Sequence, residues 1–353
     1  MKKWLASLFV MCLLFSVSAL AQSVTFQYLS NPQGNTWANY SLSADGKTMA
    51  ANLGGEIYLW TLAGGFTDLG TGDFLNSNIG ISADGSTITS TRVGSDGLTN
   101  ASLWKQGTGW IDLGIPRNGC SIDNNWSDGW SLNADGTVAV GLAWYCTGRA
   151  EGFRWTAKKG MASLGHPIDA SSRATAISAD GSTIVGFWES PQQGFRRAIR
   201  WAGGKRDMFA GINTPGEATA LTSDGSQIVG QAWNGTTPAA FYFTDATGVI
   251  SLGTLSKNPY DESIANSISD TGVVVGWSGD PFGGGIKAFI WDTKHPKANM
   301  HYLRDVLNRA GANIPSNIYL TTALTISADG STIVGSWFDV KTFQQGTWMA
   351  RFQ

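Results

Sequence analysis

The ten residues Ile-Ser-Ala-Asp-Gly-Ser-Thr-Ile-Val-Gly occupy positions 177–186 and return unchanged at positions 326–335. Related phrases begin at Leu42, Ile81, Leu132, Leu221 and Ile268. The aspartates of successive copies are 39 to 59 residues apart, and the sixth copy is one residue shorter, with Asp270 where the others have Ala or Ser. Repeats of this length are typical of the four-stranded blades of β-propellers. The sequence therefore predicts seven equivalent units.

The sequence of each unit predicts four strands, which we name a to d in chain order. Asp-Gly favours a tight hairpin because its turn needs positive φ, so strand a precedes that dipeptide and strand b follows it. Strand d commonly ends in Leu-Gly, as at Gly70 and Gly253. Strand c ends in an aromatic residue in all seven units: Trp60, Trp104, Trp155, Trp201, Phe243, Trp291 and Phe352. A constant aromatic register favours packing between neighbouring blades.

The seventh unit reaches Gln353 after strand c, and its fourth strand is predicted at the other end of the chain. Val24–Leu29 resembles strand d and precedes the first Asp-Gly turn. A closed ring removes exposed sheet edges, which otherwise pair with other chains. The fold class predicted is all-β: a seven-bladed β-propeller of four-stranded blades, closed by the N-terminal strand, as a single domain over residues 22–353.

Residues 1–21 have the pattern of a secretory signal peptide. Lys2 and Lys3 precede a short apolar run, and Ala19-Leu20-Ala21 is typical of a cleavage site. Cleavage after Ala21 predicts a secreted or periplasmic protein. Since no second long apolar run follows, we expect no membrane insertion. The mature chain has 22 basic and 26 acidic residues, a net charge of −4 that argues against a nucleic-acid partner. We expect a monomer without a cofactor.

Two cysteines, Cys120 and Cys146, remain in the predicted mature chain. An oxidising compartment favours disulfides, so an even pair predicts one bridge. Cys120 lies in a connection from strand d to strand a, and Cys146 lies in a connection from strand b to strand c. The predicted topology places both kinds of connection at the same end of the propeller.

That end is also the predicted ligand-binding face. The a–b turns are uniformly short, whereas the d–a and b–c connections vary in length and contain many aromatic residues, as functional loops do. Tryptophans near the ends of strand b are candidate stacking platforms for sugars, or alternatively padding of the blade cores: Trp144, Trp188, Trp233, Trp277 and Trp337. Trp126 and Trp130 depart from the repeat and are further candidates.

Catalytic chemistry has a weaker signal. No sequence motif of a nucleophilic triad or a metal site is present, and a single aspartate per turn does not make a calcium site. His166 with Asp169, together with Asp128, could contact a ligand in the loops. We therefore name no catalytic or metal-binding residues and expect a non-enzymatic propeller that binds a glycan or a surface protein. The alternative is a polysaccharide-degrading glycoside hydrolase or lyase that uses carboxylates such as Asp128 and Glu217 on the same face.

The repeat phrase, the Ala-Phe-Ile-Trp type of strand c and the Leu-Gly ending together resemble the HAF family of bacterial extracellular repeats. The resemblance covers residues 24–353. The segment His301–Gly311 is also similar to an insertion in some autotransporter passengers. The histidine that names the family is replaced here by Gly152, Arg197 and Lys287 in three of the units. The resemblance implies an extracellular propeller and does not specify a ligand.

Overall fold

The computed structural model describes residues 23–34, 38–73, 78–94, 97–115, 126–145, 149–165, 170–190, 194–209, 214–256, 258–283, 285–295 and 299–353. Strand β1 (Val24–Leu29) precedes the first blade. The first three blades contain β2 (Ala38–Leu42), β3 (Thr48–Leu53), β4 (Glu56–Thr61), β5 (Gly65–Thr71), β6 (Ile79–Ile81), β7 (Thr87–Val93), β8 (Thr99–Lys105), β9 (Gly109–Asp112), β10 (Ser127–Leu132), β11 (Val138–Tyr145), β12 (Arg149–Thr156) and β13 (Gly160–Ser163).

The fourth and fifth blades contain β14 (Ser172–Ile177), β15 (Thr183–Glu189), β16 (Arg196–Ala202), β17 (Lys205–Met208), β18 (Gly216–Leu221), β19 (Ile228–Trp233), β20 (Pro238–Thr244) and β21 (Gly248–Gly253). The remaining elements are β22 (Glu262–Ile268), β23 (Val273–Gly279), β24 (Lys287–Asp292), β25 (His301–Tyr302), α1 (Leu303–Arg309), β26 (Ile318–Ile326), β27 (Thr332–Asp339) and β28 (Gln345–Phe352).

These strands form seven antiparallel sheets of four strands, so the predicted β-propeller is confirmed. Six sheets follow chain order, and the seventh has the order β1-β28-β27-β26. Val24 pairs with Phe352 and Leu29 pairs with Thr347, so the N-terminal strand completes the last blade as predicted. In the described ranges, no helix has the length and apolar character needed to cross a bilayer.

The core lies between adjacent blades. Trp60, Trp201, Phe243 and Trp291, which end strand c, are all buried. Trp291 belongs to a cluster that also contains Val229 and other residues of the preceding blade. The repeated aromatic residue is therefore an inter-blade packing residue, as its constant register predicts.

Hydrogen bonds between neighbouring Asp-Gly turns encircle the end of the channel opposite the variable loops. We call this the turn ring. In six of the seven junctions the backbone N–H of one turn donates to a backbone carbonyl oxygen of the next. The donor and acceptor residues, with their N–O distances, are Ala44 and Ala83 (2.9 Å), Ala83 and Ala134 (2.9 Å), Ala134 and Ala179 (3.0 Å), Ala179 and Ser223 (2.8 Å), Asp270 and Ala328 (2.8 Å), and Asp329 and Ala44 (3.1 Å). At the remaining junction, Ser223 N–H donates to the Asp270 carboxylate at 2.7 Å. The shortened sixth turn thus uses a side chain where the other turns use a backbone carbonyl.

The turn aspartates hold their own hairpins. Ser178 donates to Asp180 at 2.7 Å, and the backbone N–H of Ser182 donates to the same carboxylate at 2.9 Å. These donors lower the pKa of Asp180 to about 2. The hydroxyl of Ser82 lowers the pKa of Asp84 in the same way. Both observations agree with a structural role for these aspartates in the turn.

Most turn glycines also fit against the preceding blade, which gives a test of inter-blade packing. Gly136 has φ of +65°, and a Cβ there would lie 2.7 Å from Cβ of Thr87 in the second blade. Gly107 has φ of +80° with open space around it. Both alanine variants incur about 1–2 kcal/mol for the left-handed conformation. We expect Gly136→Ala to lose a further ~1–3 kcal/mol through overpacking. Urea unfolding of both variants measures the difference, and equal losses would contradict the packing argument.

Candidate functional site

The b–c and d–a connections lie at one end of the propeller, which we call the loop face. Asp128 is the second residue of β10, directly after a long d–a connection. Its side chain is buried, with 1% of its residue surface exposed. Asn78 Nδ2 donates to its Oδ2 at 3.1 Å, and Trp130 Nε1 donates to the same oxygen at 2.8 Å. The hydroxyl of Thr91 donates to the other oxygen. Three protein donors therefore occupy this carboxyl group.

Burial raises the pKa of Asp128 to about 7, although its three donors and the charge of Arg173 oppose the shift. Between about pH 4 and pH 7 the folded state therefore binds a proton that the unfolded state releases, so this group makes stability fall as pH rises through that interval. We expect Asp128→Asn to remove that part of the fall, so that its stability relative to the natural protein increases from pH 4 to pH 8.

Urea unfolding at each pH measures this effect. Asp135→Asn is the matched control, because hydrogen bonding from Thr137 lowers the pKa of the exposed Asp135. That control should leave the slope between pH 5 and pH 7 unchanged. An Asp128→Asn variant with the slope of the natural protein would show that the carboxyl is not buried as described.

A second carboxylate, that of Glu217, also lies on the first strand of its blade, and it is paired. The guanidinium of Arg173 forms an ion pair with Glu217, and Thr175 Oγ1 donates to Glu217 at 3.0 Å. The guanidinium carbon of Arg173 also lies 3.9 Å from the centre of the Trp130 ring. Arg173 thus connects the Trp130 indole, which is hydrogen-bonded to Asp128, with Glu217 in the fifth blade. We call Asn78, Asp128, Trp130, Arg173 and Glu217 the channel network.

Sequence reasoning missed Arg173, Asn78 and Thr91. A signal for Arg173 was present in the repeat. Asp128, Arg173 and Glu217 each stand four residues before the apolar residue that closes strand a, and they pair with Leu142, Phe187 and Gln231 at one position of strand b. Aligning the units at that position places all three on the channel wall. Asn78 carries a weaker signal, because β6 has no bulge and its spacing is one residue shorter.

The predicted tryptophans fall into different environments. Trp126 and Trp144 are neighbours, with ring centres 5.9 Å apart, and both are partly exposed. Together with Trp130, they place three indoles on the third blade. Trp233, at the end of β19, is 41% exposed. Trp188 packs against the Arg206 guanidinium at 4.2 Å.

The five repeat-related tryptophans do not share one register position. Each can be counted from the glycine that ends its copy of the repeat phrase. Trp277 is one residue after that glycine, Trp188 and Trp337 are two residues after it, and Trp144 and Trp233 are three residues after it. Alternate residues of a strand point to opposite sides. Trp188 and Trp337 therefore face the side of their blades opposite to that faced by the other three tryptophans. The ring of Trp337 contacts the ring of Tyr28, with ring centres 5.2 Å apart.

Several predicted residues lie outside the described residues. These are Cys120 and Cys146 of the predicted disulfide, and His166 with Asp169. Within the described ranges, His295 contacts Asp292 at 3.2 Å in a turn and His301 is exposed. The same ranges contain no group of three or more histidine, cysteine, aspartate or glutamate side chains placed to hold a metal ion.

The architecture is shared with solved propellers at low sequence identity. The β-propeller domain of the Trilobed protease from Pyrococcus furiosus aligns with a TM-score of 0.58 and 14% identity, covering 92% of this chain and 96% of that one. Oligogalacturonate lyase from Vibrio parahaemolyticus aligns with a TM-score of 0.55 and 13% identity, covering 93% and 97%. These similarities establish the fold. No family model and no curated protein matches the sequence.

The Pyrococcus propeller has an open velcro topology. Here β1 pairs with β28 along six residues and closes the ring.

Proposed function

We propose that this chain is an exported, non-enzymatic β-propeller of the HAF type that binds a glycan on its loop face. The proposal rests chiefly on the grouping of Trp126, Trp130 and Trp144 on one blade of that face. Indole rings present a flat apolar surface, which suits the apolar face of a sugar ring. Trp130 donates its N–H to Asp128, so its ring orientation is fixed before any ligand arrives.

The same geometry argues for binding rather than hydrolysis. Glycoside hydrolases need two carboxyl groups that flank the scissile bond, with one of them accessible as base or nucleophile. Asp128 is buried beneath three donors, and Glu217 is held by Arg173 and Thr175. Each carboxylate is thus engaged by protein groups rather than free to act on a substrate. Their ordered contacts suit a rigid support for the aromatic surface.

A glycan array probed with the purified mature chain, alongside assays for new reducing ends and for unsaturated sugar products, tests the proposal. Saturable binding without product supports it. Release of reducing ends or unsaturated products would establish the alternative, a hydrolase or lyase. Absence of binding across the array, together with capture of a cell-surface protein, would instead show that the ligand is a protein.

Two tryptophans of similar size should separate binding from stability. We expect Trp126→Ala to weaken glycan binding about tenfold or more with a loss of stability under ~1 kcal/mol, because its ring is partly exposed on the loop face. Trp201, with 6% of its surface exposed, should instead lose about 3–5 kcal/mol of stability as Trp201→Ala. Binding titrations and urea unfolding of both variants measure the two effects. The reverse order would show that the aromatic roles are exchanged.

A further inference from the structure

A cleft of about 620 Å³ opens on the loop face above the sixth blade. Asn258 and Asp261 from the connection before β22 form one wall, and Asp280 from the connection after β23 forms another. The start of α1 contributes Asp305, and β26 of the last blade contributes Tyr319. The volume lies within the range of about 300–1,000 Å³ that is usual for ligand pockets. This cleft is separate from the third-blade tryptophans.

Exposed aromatic side chains lie in the cleft or next to its lining residues in the sequence. Tyr319 lines it and is 36% exposed. Tyr260 is 75% exposed and precedes Asp261, and Phe282 is 95% exposed and precedes Gly283, both of which are lining residues. Scattered apolar residues on a surface need no explanation, but several around one concave site are typical of a binding site. They suit a ligand that has flat apolar faces.

The interior supplies hydrogen-bond donors and acceptors. The ammonium of Lys287 lies 5.6 Å from the centre of the Tyr302 ring and 5.9 Å from that of Tyr319. In the described part of the chain it forms no ion pair within 4 Å, although Asp280 and Asp305 line the same cleft. The three N–H donors of this cation are therefore not consumed by a carboxylate.

We propose that this cleft binds a sugar residue, with one face of its ring on Tyr319 and with its hydroxyl groups accepting from Lys287 and donating to Asp305. A sugar hydroxyl both donates and accepts, and a pyranose ring has an apolar face. This ligand class therefore uses the Tyr319 ring, the Lys287 donors and the carboxylate acceptors of the cleft. The three lining aspartates outnumber Lys287, so the cleft disfavours a strongly anionic ligand. The inference rests on the proposed function for the ligand class and adds a site that the tryptophan pattern does not indicate.

The probes are free glucose, galactose, N-acetylglucosamine and glucuronic acid, titrated into the ¹⁵N-labelled mature protein. We expect the amides of Asn258, Asp261, Asp280 and His301 to shift with at least one neutral sugar, and glucuronic acid to bind no better than glucose. Tyr319→Ala and Lys287→Met should each weaken binding about tenfold. Tyr319→Phe keeps the ring and should retain most of the affinity. Phe343→Ala, which removes an exposed aromatic residue outside the cleft on the same face, is the matched control and should change nothing.

Unmoved cleft amides with all four sugars would overturn the inference, as would unchanged affinity in both Tyr319→Ala and Lys287→Met. A thermal melt of each variant shows that it is folded. Array binding that leaves the cleft amides unmoved keeps the proposed function and rejects the cleft. Cleft shifts with free sugars, together with glycan binding that Trp126→Ala leaves unchanged, keep the cleft and reject the proposed role of the tryptophans.

Discussion

Deletion of Val24 to Ser30 is expected to leave an aggregating protein that has lost on the order of 5 kcal/mol of stability, since each buried large apolar side chain contributes about 1.5–3 kcal/mol. The deleted strand supplies half of the pairing on β28 and packs Val24 and Phe26 against the core of the last blade. The ring of Phe26 stacks on Trp348 with centres 6.0 Å apart. Removing the strand uncovers this core and leaves β28 as an open sheet edge.

Size-exclusion chromatography and thermal unfolding of the truncated chain measure both effects. Thr25→Ala changes an exposed residue of the same strand and should remain monodisperse with little change in melting temperature. A synthetic peptide of residues 24–30 added in excess should restore part of the lost stability, because it can re-form the β1–β28 pairing. An unchanged melting temperature for the truncated chain would disprove closure by this strand.

Trp348→Ala is expected to lose about 3–5 kcal/mol, the usual cost of removing a buried tryptophan side chain. Trp348 is fully buried, and its Nε1 donates to the backbone carbonyl of Ser336 at 2.9 Å. The variant therefore creates a cavity and also removes one of the two side-chain donors to the Ser336 carbonyl, which keeps the bond from Thr321 Oγ1 at 3.0 Å. Trp233→Ala, at a position 41% exposed, is the matched control and should lose less than about 1 kcal/mol.

Urea denaturation of the two variants gives the comparison directly. Similar losses for both would show that Trp348 does not occupy the core of the last blade. A larger loss for Trp233→Ala would place that residue in packing rather than on the loop face.

The fold was predictable because its signals are local and repeated. The Asp-Gly turn, the aromatic end of strand c and the resemblance of Val24–Leu29 to strand d each specify pairing without knowledge of distant contacts. The sixth turn shows where this reasoning stops. The sequence shows Asp270 displaced by one residue, but only the neighbouring blade explains why a carboxylate there is useful: it accepts from Ser223 N–H.

The candidate site was predictable only in part, because its residues meet across blades. Trp130 stood out because it departs from the repeat, whereas Asp128 was named only as one of several acidic residues that could contact a ligand. Arg173 looks like an ordinary strand residue until the neighbouring blades bring it between Trp130 and Glu217. Lys287 was noted only as the replacement for a family histidine. Its position between Tyr302 and Tyr319 depends on residues 15 and 32 positions later in the sequence.

The turn ring has a direction. At every junction the N–H group belongs to one blade and the acceptor to the next along the chain, including the step from Asp329 back to Ala44. Each turn therefore donates to one neighbouring turn and accepts from the other. An open array of repeats frays from its ends, where a terminal unit has one neighbour. This circle offers no such end, and the molecule can begin to unravel only by parting two blades that are already held on both sides.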